Sequence, residues 1–314
     1  MKLSKDLLNN LIEITSNSAI ACYPYIGKNE KVLADKAATD VMRFQLNNLN
    51  IKGEVVIGEG ELDEAPMLYI GEKLGNGNGP KIDIAVDPVE GTNFVAKNLP
   101  GAMSVIAISE KGNLFNSPET YMQKIATGNH VPKDTVDLDY SIEQNIKNYC
   151  DETRKKPNEI TVCILDRPRH TNIIDELKRL NVNIKFISDG DVSGVLLVAD
   201  KKFGVDIFMG IGGGPEGVIA AAALDKLNCK FQGRFLFSSK EEKNRAKKMG
   251  VKDLNKKYEI NEIVKGDSIF CATGITRCEF MNGIVRKNDK YVTETIFTYE
   301  KSALQIVKKE ISIT

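Results

Sequence analysis

The chain has 314 residues, 42% of them hydrophobic and 27% charged, with 43 basic side chains balanced by 43 acidic ones. That describes one large or two ordinary globular domains with a sizeable core, and it argues against a disordered, collagenous or membrane-embedded chain. Zero net charge argues against a broadly basic nucleic-acid or anionic-membrane face and leaves only a local patch open.

The N-terminal residues Met1-Lys2-Leu3-Ser4-Lys5-Asp6 interrupt their apolar positions with charge, unlike a signal peptide. No apolar run approaches the ~20 residues of a membrane span, so a cytoplasmic protein is expected. Leu7, Leu8, Leu11, Ile12 and Ile14 recur at helical spacing and predict a helix over residues 4–22. Ala34, Ala37, Ala38, Val41, Met42 and Leu49 predict a second. Strands follow at 54–57, at 82–86 (stopped by Asp87-Pro88) and at 103–109. Residues 128–158 are mostly polar and suggest a loose boundary, dividing the chain into 1–150 and 151–314. Beyond it, strands at 160–165, 184–187 and 205–209 alternate with helices at 171–180, 192–199 and 215–227. This is the pattern of an α/β layer. A charged helix at 240–248 and strands at 268–271 and 291–298 complete the reading.

Six Cys are scattered without a CxxC pair, so neither a zinc ribbon nor a thioredoxin-type site is indicated. Cys163 and Cys271 sit in apolar runs and read as buried thiols. With only two His, His130 and His170, a bound metal would depend on carboxylates, which favours Mg or Mn.

Acidic residues cluster at two strand ends: Glu59, Glu61, Asp63 and Glu64 after the first, and Asp87 and Glu90 after the second. Packed carboxylates repel and need protons or cations to coexist. The bland alternative is a set of solvated turn acids. In Asp87-Pro88-Val89-Glu90-Gly91-Thr92, Pro88 would fix a turn, Gly91 would admit a ligand and Thr92 would offer a hydroxyl and N–H at a helix start. Arg167-Pro168-Arg169-His170 fits a phosphate clamp or a charged surface turn. Asp189-Gly190-Asp191 fits sugar-hydroxyl binding, a helix-capping turn, or the nucleophile site of an aspartyl-phosphate phosphatase. Residues 212–217 match G-x-G-x-x-G. Dinucleotide binding is disfavoured there, because Pro215 removes a backbone donor and no acidic residue follows about 20 residues on. No P-loop and no G-x-S-x-G occurs.

Taken together, the chain resembles the class II fructose-1,6-bisphosphatases of the bacterial glycerol-operon type. The resemblance rests on Val56-Ile57-Gly58-Glu59-Gly60-Glu61, Asp63-Glu64-Ala65-Pro66-Met67-Leu68-Tyr69, Asp83-Ile84-Ala85-Val86-Asp87-Pro88-Val89-Glu90-Gly91-Thr92, Arg167-Pro168-Arg169-His170, Asp189-Gly190-Asp191-Val192, Gly210-Ile211-Gly212-Gly213, Pro215-Glu216-Gly217 and Ala272-Thr273-Gly274-Ile275-Thr276, in order. It implies a layered α-β-α-β-α sandwich of the sugar phosphatase type, with the active site between the two halves. It implies metal ligands at Asp35, Glu59, Asp87, Glu90 and Glu216, with Mn²⁺ or Mg²⁺ as cofactor. Substrate contacts would fall on Glu90, Gly91, Thr92, Tyr121, Arg167, Pro168, Arg169, Asp189, Gly190, Asp191 and Gly213. Thr92, Glu61 and Lys31 would be catalytic. The implied reaction is metal-dependent hydrolysis of the 1-phosphate of fructose 1,6-bisphosphate, a step of gluconeogenesis, in a homo-oligomer (dimer or tetramer). Sedoheptulose 1,7-bisphosphatase or dual activity is an alternative. A non-catalytic sugar-phosphate or nucleotide-binding protein is the alternative of another class.

Overall fold

A computed structural model describes residues 3–60, 67–300 and 303–313. The chain forms two compact units, Met1–Phe115 joined by Val264–Thr314, and Asn116–Ile263. The first unit opens with α1 (Lys5–Ala21) and α2 (Lys31–Asn47). It continues through β1 (Lys52–Ile57), β2 (Lys73–Leu74), β3 (Lys81–Glu90), α3 (Thr92–Lys97) and β4 (Met103–Glu110). The second runs β5 (Tyr121–Thr127), α4 (Ile142–Thr153), β6 (Thr161–Leu165), α5 (Thr171–Arg179), β7 (Asn183–Ile187), α6 (Asp191–Leu196) and β8 (Ile207–Gly213). It ends with α7 (Gly214–Asp225), β9 (Lys230–Leu236), α8 (Lys240–Lys248), β10 (Lys257–Glu259) and α9 (Ile260–Ile263). The chain then returns to the first unit with β11 (Ser268–Gly274), β12 (Val285–Lys287), β13 (Lys290–Thr298) and β14 (Gln305–Ser312).

The units divide at 115/116 and 263/264 rather than at 150/151. Two long-range facts are responsible. The polar stretch 128–158 is not a linker: it carries α4, which buries Ile146 and Tyr149 in the core of the second unit. The C-terminal strands pair back into the first sheet, β11 against β4 from Ser268↔Ser109 to Gly274↔Met103.

In the first unit, among the described residues, eight strands form one sheet, in the order β12-β13-β11-β4-β3-β1-β2 with β14 on β13. Ser4 caps α1, its Oγ accepting from Leu7 N at 3.2 Å. The 3.6-residue spacing of Leu7, Leu8, Leu11 and Ile12 gives α1 an apolar face. That face and Met42 and Leu46 of α2 pack on Ile84, Val86, Ile106, Ile108 and Ile269 of the sheet. Further along α1, hydroxyls replace methyls. Thr273 Oγ1 meets Thr15 Oγ1 at 2.8 Å and Thr295 Oγ1 at 2.7 Å, a buried network joining α1 to β11 and β13.

The second unit is a sheet between two helix layers. Its order is β10-β9-β5-β8-β6-β7, with β6 parallel to both β7 and β8. Strand periodicity sends Ile125, Ile207 and Met209 to a core shared with Ile146, Tyr149 and Leu177 of α4 and α5. On the other face α6 and α7 approach closely, and a Cβ at Gly194 would press on Phe208 of β8 at 3.0 Å. A mixed α/β fold with two sheets and covering helices is therefore what the alternation of elements led to. All six Cys are free thiols; burial and the nearby Asp35 push Cys22 up to about 12. Among the described residues no helix is long and apolar enough to cross a membrane.

The core predicts its own mutational response. Leu11, fully buried, should lose about 2–5 kcal/mol of stability on replacement by Ala. Phe44, 69% exposed on α2, should change by no more than ~0.5 kcal/mol on the same replacement. Urea unfolding of both variants checks the contrast.

Candidate active site

In the first unit, parallel pairing brings the candidate carboxylates to one end of the sheet. Ile57 of β1 pairs with Ala85 of β3, so Glu59 and Asp87 each lie two residues beyond that pair at matching ends. β3 does not stop at Asp87-Pro88 as expected. It runs to Glu90, and its register against β4 shifts between Asp87↔Val105 and Glu90↔Met103. Pro88 sits in that irregularity, the one place inside a sheet where a missing N–H costs no ladder bond. Asp87 Oδ1 accepts from Val89 N at 3.1 Å, which holds the kink. Glu90 is buried at the strand's end. Gly91 follows with φ +87°, a conformation that suits glycine, and serves as the N-cap of α3, so Thr92 is the first helical residue. Asp35 stands one turn into α2, half-buried, and burial raises its carboxyl above the ordinary range. Lys31 is the exposed first residue of that helix. Glu61, with Asp63 and Glu64, lies outside the described residues.

In the second unit the parallel strands β6, β7 and β8 end side by side. Their outgoing loops carry Arg167-Pro168-Arg169, Asp189-Gly190-Asp191 and Gly213 to Glu216. β5 is antiparallel to β8, with Tyr121 opposite Gly213, so Tyr121 joins the same end. The Arg169 guanidinium stacks 4.9 Å from the Tyr121 ring centre, and its Nε donates to Ile211 O at 2.9 Å. Arg167 lies 3.6 Å from Asp189. Gly190 has φ +82° and precedes Asp191, the first residue of α6.

His170 does not join the arginines as a third clamp group. It is fully buried, its Nδ1 2.6 Å from Leu165 O and its Nε2 accepting from Ile211 N at 2.8 Å. Nδ1 is thereby the donor and the ring is neutral. Burial lowers its pKa, opposed by the bond to Leu165. Its work is to fix the β6 and β8 loops on which Arg167 and Arg169 stand.

The structure adds one residue that the sequence gave no reason to select. Lys124, in the middle of β5, is 1% exposed and forms an ion pair with Asp191 Oδ2. It also faces Glu216 in the first turn of α7. Burial raises the Glu216 carboxyl; the Lys124 charge opposes that shift and the Asp191 charge reinforces it. Glu216 Oε2 and Asp191 Oδ1 are buried without a hydrogen-bond partner among the described residues. The backbone makes room for both acids. A Cβ at Gly212 would lie 2.2 Å from Asp191 Oδ2, and one at Gly213 would lie 1.7 Å from Glu216 Oε2. The glycine-rich loop thus serves to seat carboxylates. Among the described residues, no three His, Cys, Asp or Glu side chains are gathered tightly enough to hold a metal ion.

A family model described as bacterial fructose-1,6-bisphosphatase, glpX-encoded, matches residues 5–310. The chain belongs to this family. It is 39% identical to fructose-1,6-bisphosphatase 1 class 2 of Escherichia coli (strain K12), over 96% of this chain and 93% of that one. It is also 39% identical to a D-fructose 1,6-bisphosphatase class 2/sedoheptulose 1,7-bisphosphatase of Prochlorococcus marinus (strain MIT 9301), over 94% and 92% of the two chains. Among solved structures, the extragenic suppressor protein suhB of Bartonella henselae aligns with a TM-score of 0.36 at 10% identity, over 63% of this chain and 73% of that one.

Two measurements test these electrostatics. Lys124→Met leaves Asp191 buried and unpaired and should cost about 3–5 kcal/mol, while Lys124→Met with Asp191→Leu should recover part of it in urea unfolding. Burial lowers both histidines, so between their depressed folded values and the ordinary ~6.5 the unfolded state binds more protons. Stability contributed by the neutral rings is complete above pH ~6.5 and falls as pH drops below it. Urea unfolding between pH 7.5 and 5.5 should show this fall, with a shallower slope for His170→Asn.

Proposed function

We propose that this chain hydrolyses the 1-phosphate of fructose 1,6-bisphosphate, giving fructose 6-phosphate and phosphate, with Mn²⁺ or Mg²⁺ as cofactor. Membership of the bacterial fructose-1,6-bisphosphatase family over nearly the whole chain carries this reading. The chemistry of the two residue sets supports it.

Asp35, Glu59, Asp87, Glu90 and Glu216 would hold the metal. The donor chemistry favours this although the described side chains do not close on a common point: all supply hard oxygens, burial raises Asp35 and Glu216, and Glu216 Oε2 is buried without a hydrogen-bond partner among the described residues. When bound, a divalent cation neutralises phosphate charge and lowers the pKa of a nearby water. Thr92, at the start of α3 after Gly91, orients the attacking water. Its hydroxyl and backbone N–H face the group being transferred, and Glu61 and Lys31 assist there. The water oxygen bonds to phosphorus, the P–O1 bond breaks, and O1 departs with the sugar and takes up a proton. Arg167 and Arg169 hold the 6-phosphate. The Tyr121 ring and Ile211 O hold Arg169 in one orientation, so less side-chain freedom is lost on binding. Asp191 Oδ1 is ready to accept a sugar hydroxyl, and Asp189 and the Gly190 and Gly213 backbones line the same strand end. Free thiols, four of the six buried, suit a cytoplasmic enzyme, and a symmetric homo-oligomer, dimer or tetramer, is the expected assembly.

A second substrate, sedoheptulose 1,7-bisphosphate, is favoured by the Prochlorococcus relatives, which are named as fructose 1,6- and sedoheptulose 1,7-bisphosphatases. Phosphate release should appear with fructose 1,6-bisphosphate and Mn or Mg, stop on chelation, and be small with fructose 6-phosphate. Glu90→Gln and Thr92→Ala should each lower turnover by about 10²–10⁴. Asp189→Asn should keep partial activity, where an aspartyl-phosphate mechanism built on Asp189 would lose all of it. Saturable binding with no release under either metal, for both bisphosphates, would overturn the proposal.

A further inference from the structure

A separate cavity of about 570 Å³ opens within the first unit. Its size lies in the range of small-molecule sites. Its wall is built from three pieces of chain: the segment after α1, the C-terminal end of α3, and the loops after β11. Among the described residues, Lys28 and Arg277 are its charged residues and no acidic side chain lines it. Asn98 and Asn282 add amide groups. Tyr23, Ile26, Ile275 and Ile284 supply an apolar wall that continues into a buried cluster with Ala34, Val89 and Val95.

The walls are fixed without a ligand. Gly27 N and Asn29 N, on either side of Lys28, donate to Val95 O at 2.9 Å and Ala96 O at 2.8 Å, so the lysine's segment is tied to α3. Arg277 O accepts from Gly101 N at 2.9 Å, and Ile284 N donates to Ile275 O at 3.2 Å. A Cβ at Gly283 would lie 2.6 Å from Thr276 C, so this glycine lets the loop close against Arg277. Asn282 is braced from outside the cavity by Glu294, which accepts from its backbone N at 2.8 Å and from its Nδ2; Glu294 also lies 3.7 Å from Lys308. Neither Lys28 nor Arg277 has an ion-pair partner among the described residues.

We infer that this cavity is a second binding site, for a small organic phosphate with an apolar or aromatic body. Two cations without a carboxylate among them select an anion. The Arg277 fork can take two phosphate oxygens while Lys28 supplies a point charge. The tyrosine and isoleucine wall takes the body of the ligand, for which inorganic phosphate has no counterpart. Asn98 caps the end of α3 opposite Thr92. Six residues at 1.5 Å each set those ends about 9 Å apart, so the site is distinct from the strand-end residues of the proposed reaction and does not rest on that reading. A ligand held here clamps the Lys28 segment and the end of α3 together.

The probe is benzylphosphonate, which has a ring, an anionic head and no ester bond to hydrolyse, titrated calorimetrically into the full-length chain. Saturable binding is expected, with affinity at least tenfold weaker in Arg277→Ala and in Lys28→Ala and partly retained in Arg277→Lys. Methylphosphonate, which lacks the ring, should bind at least tenfold more weakly. Arg169→Ala should leave the affinity unchanged. Bound probe should raise the melting temperature of the wild type but not of Arg277→Ala. No binding at millimolar probe, or full affinity in Arg277→Ala, overturns the inference. So does a loss confined to Arg169→Ala, which would assign the binding to the strand-end arginines. Equal affinity for the two phosphonates overturns the apolar half of the ligand assignment.

Discussion

Carboxylates taken out of water at the ends of parallel strands are the constraint on which the rest of this structure turns. Burying an ionised group costs several kcal/mol unless another charge or a set of donors compensates it. The fold meets this cost differently in different places. Glu72 is compensated completely: Arg43 Nε binds Oε1 and Leu68 N binds Oε2, and the acid is structural. Asp191 is compensated on one oxygen only, by Lys124, a lysine with almost no exposure of its own. Glu216 has the same ammonium nearby and a buried oxygen without a hydrogen-bond partner among the described residues. Half-compensated acids are unfavourable for folding, and they are the groups still able to accept a hydroxyl or a cation.

That arrangement explains the backbone around it. Asp191 and Glu216 need space where β8 ends, and Gly212 and Gly213 provide it by lacking Cβ atoms. The resemblance of residues 212–217 to a dinucleotide fingerprint therefore has a different physical cause, the seating of two side chains rather than the approach of a pyrophosphate. In the first unit, the register shift in β3 plays the comparable part. It turns Asp87 and Glu90 out of strict alternation and delivers Gly91 and Thr92 to the start of α3.

Neutral groups hold the charged ones in place. Burial lowers the pKa of His170 against the pull of its backbone bonds, and its contacts with Leu165 O and Ile211 N tie the start of the loop that carries Arg167 and Arg169 to β8. Tyr121 and Ile211 O hold Arg169 from two sides. An arginine held in this way would lose less freedom on meeting an anion.

The amino-acid sequence by itself determined what depends on neighbours along the chain. Helical spacing of Leu7, Leu8, Leu11 and Ile12 marks α1, and strand–helix alternation after residue 160 marks the second sheet. The ordered motifs carry the resemblance to the bacterial fructose-1,6-bisphosphatases, while many carboxylates and only two imidazoles point no further than to a hard cation. Tertiary structure decided what depends on distant partners. β5 and β9 were not legible, because Gln123, Lys124, Gly233 and Arg234 break the apolar pattern and pairing within the sheet compensates for them. α4 was hidden in a polar stretch, since only Asn145, Ile146 and Tyr149 of its surface are buried. The return of β11 to β14 into the first sheet, which moves the unit boundary to 263/264, rests on pairs more than 150 residues apart, such as Ser268↔Ser109. Lys124 was missed for the same reason. A lysine in a polar segment carries no local signal, and it becomes a buried counter-charge only when the sheet places it against Asp191, 67 residues away.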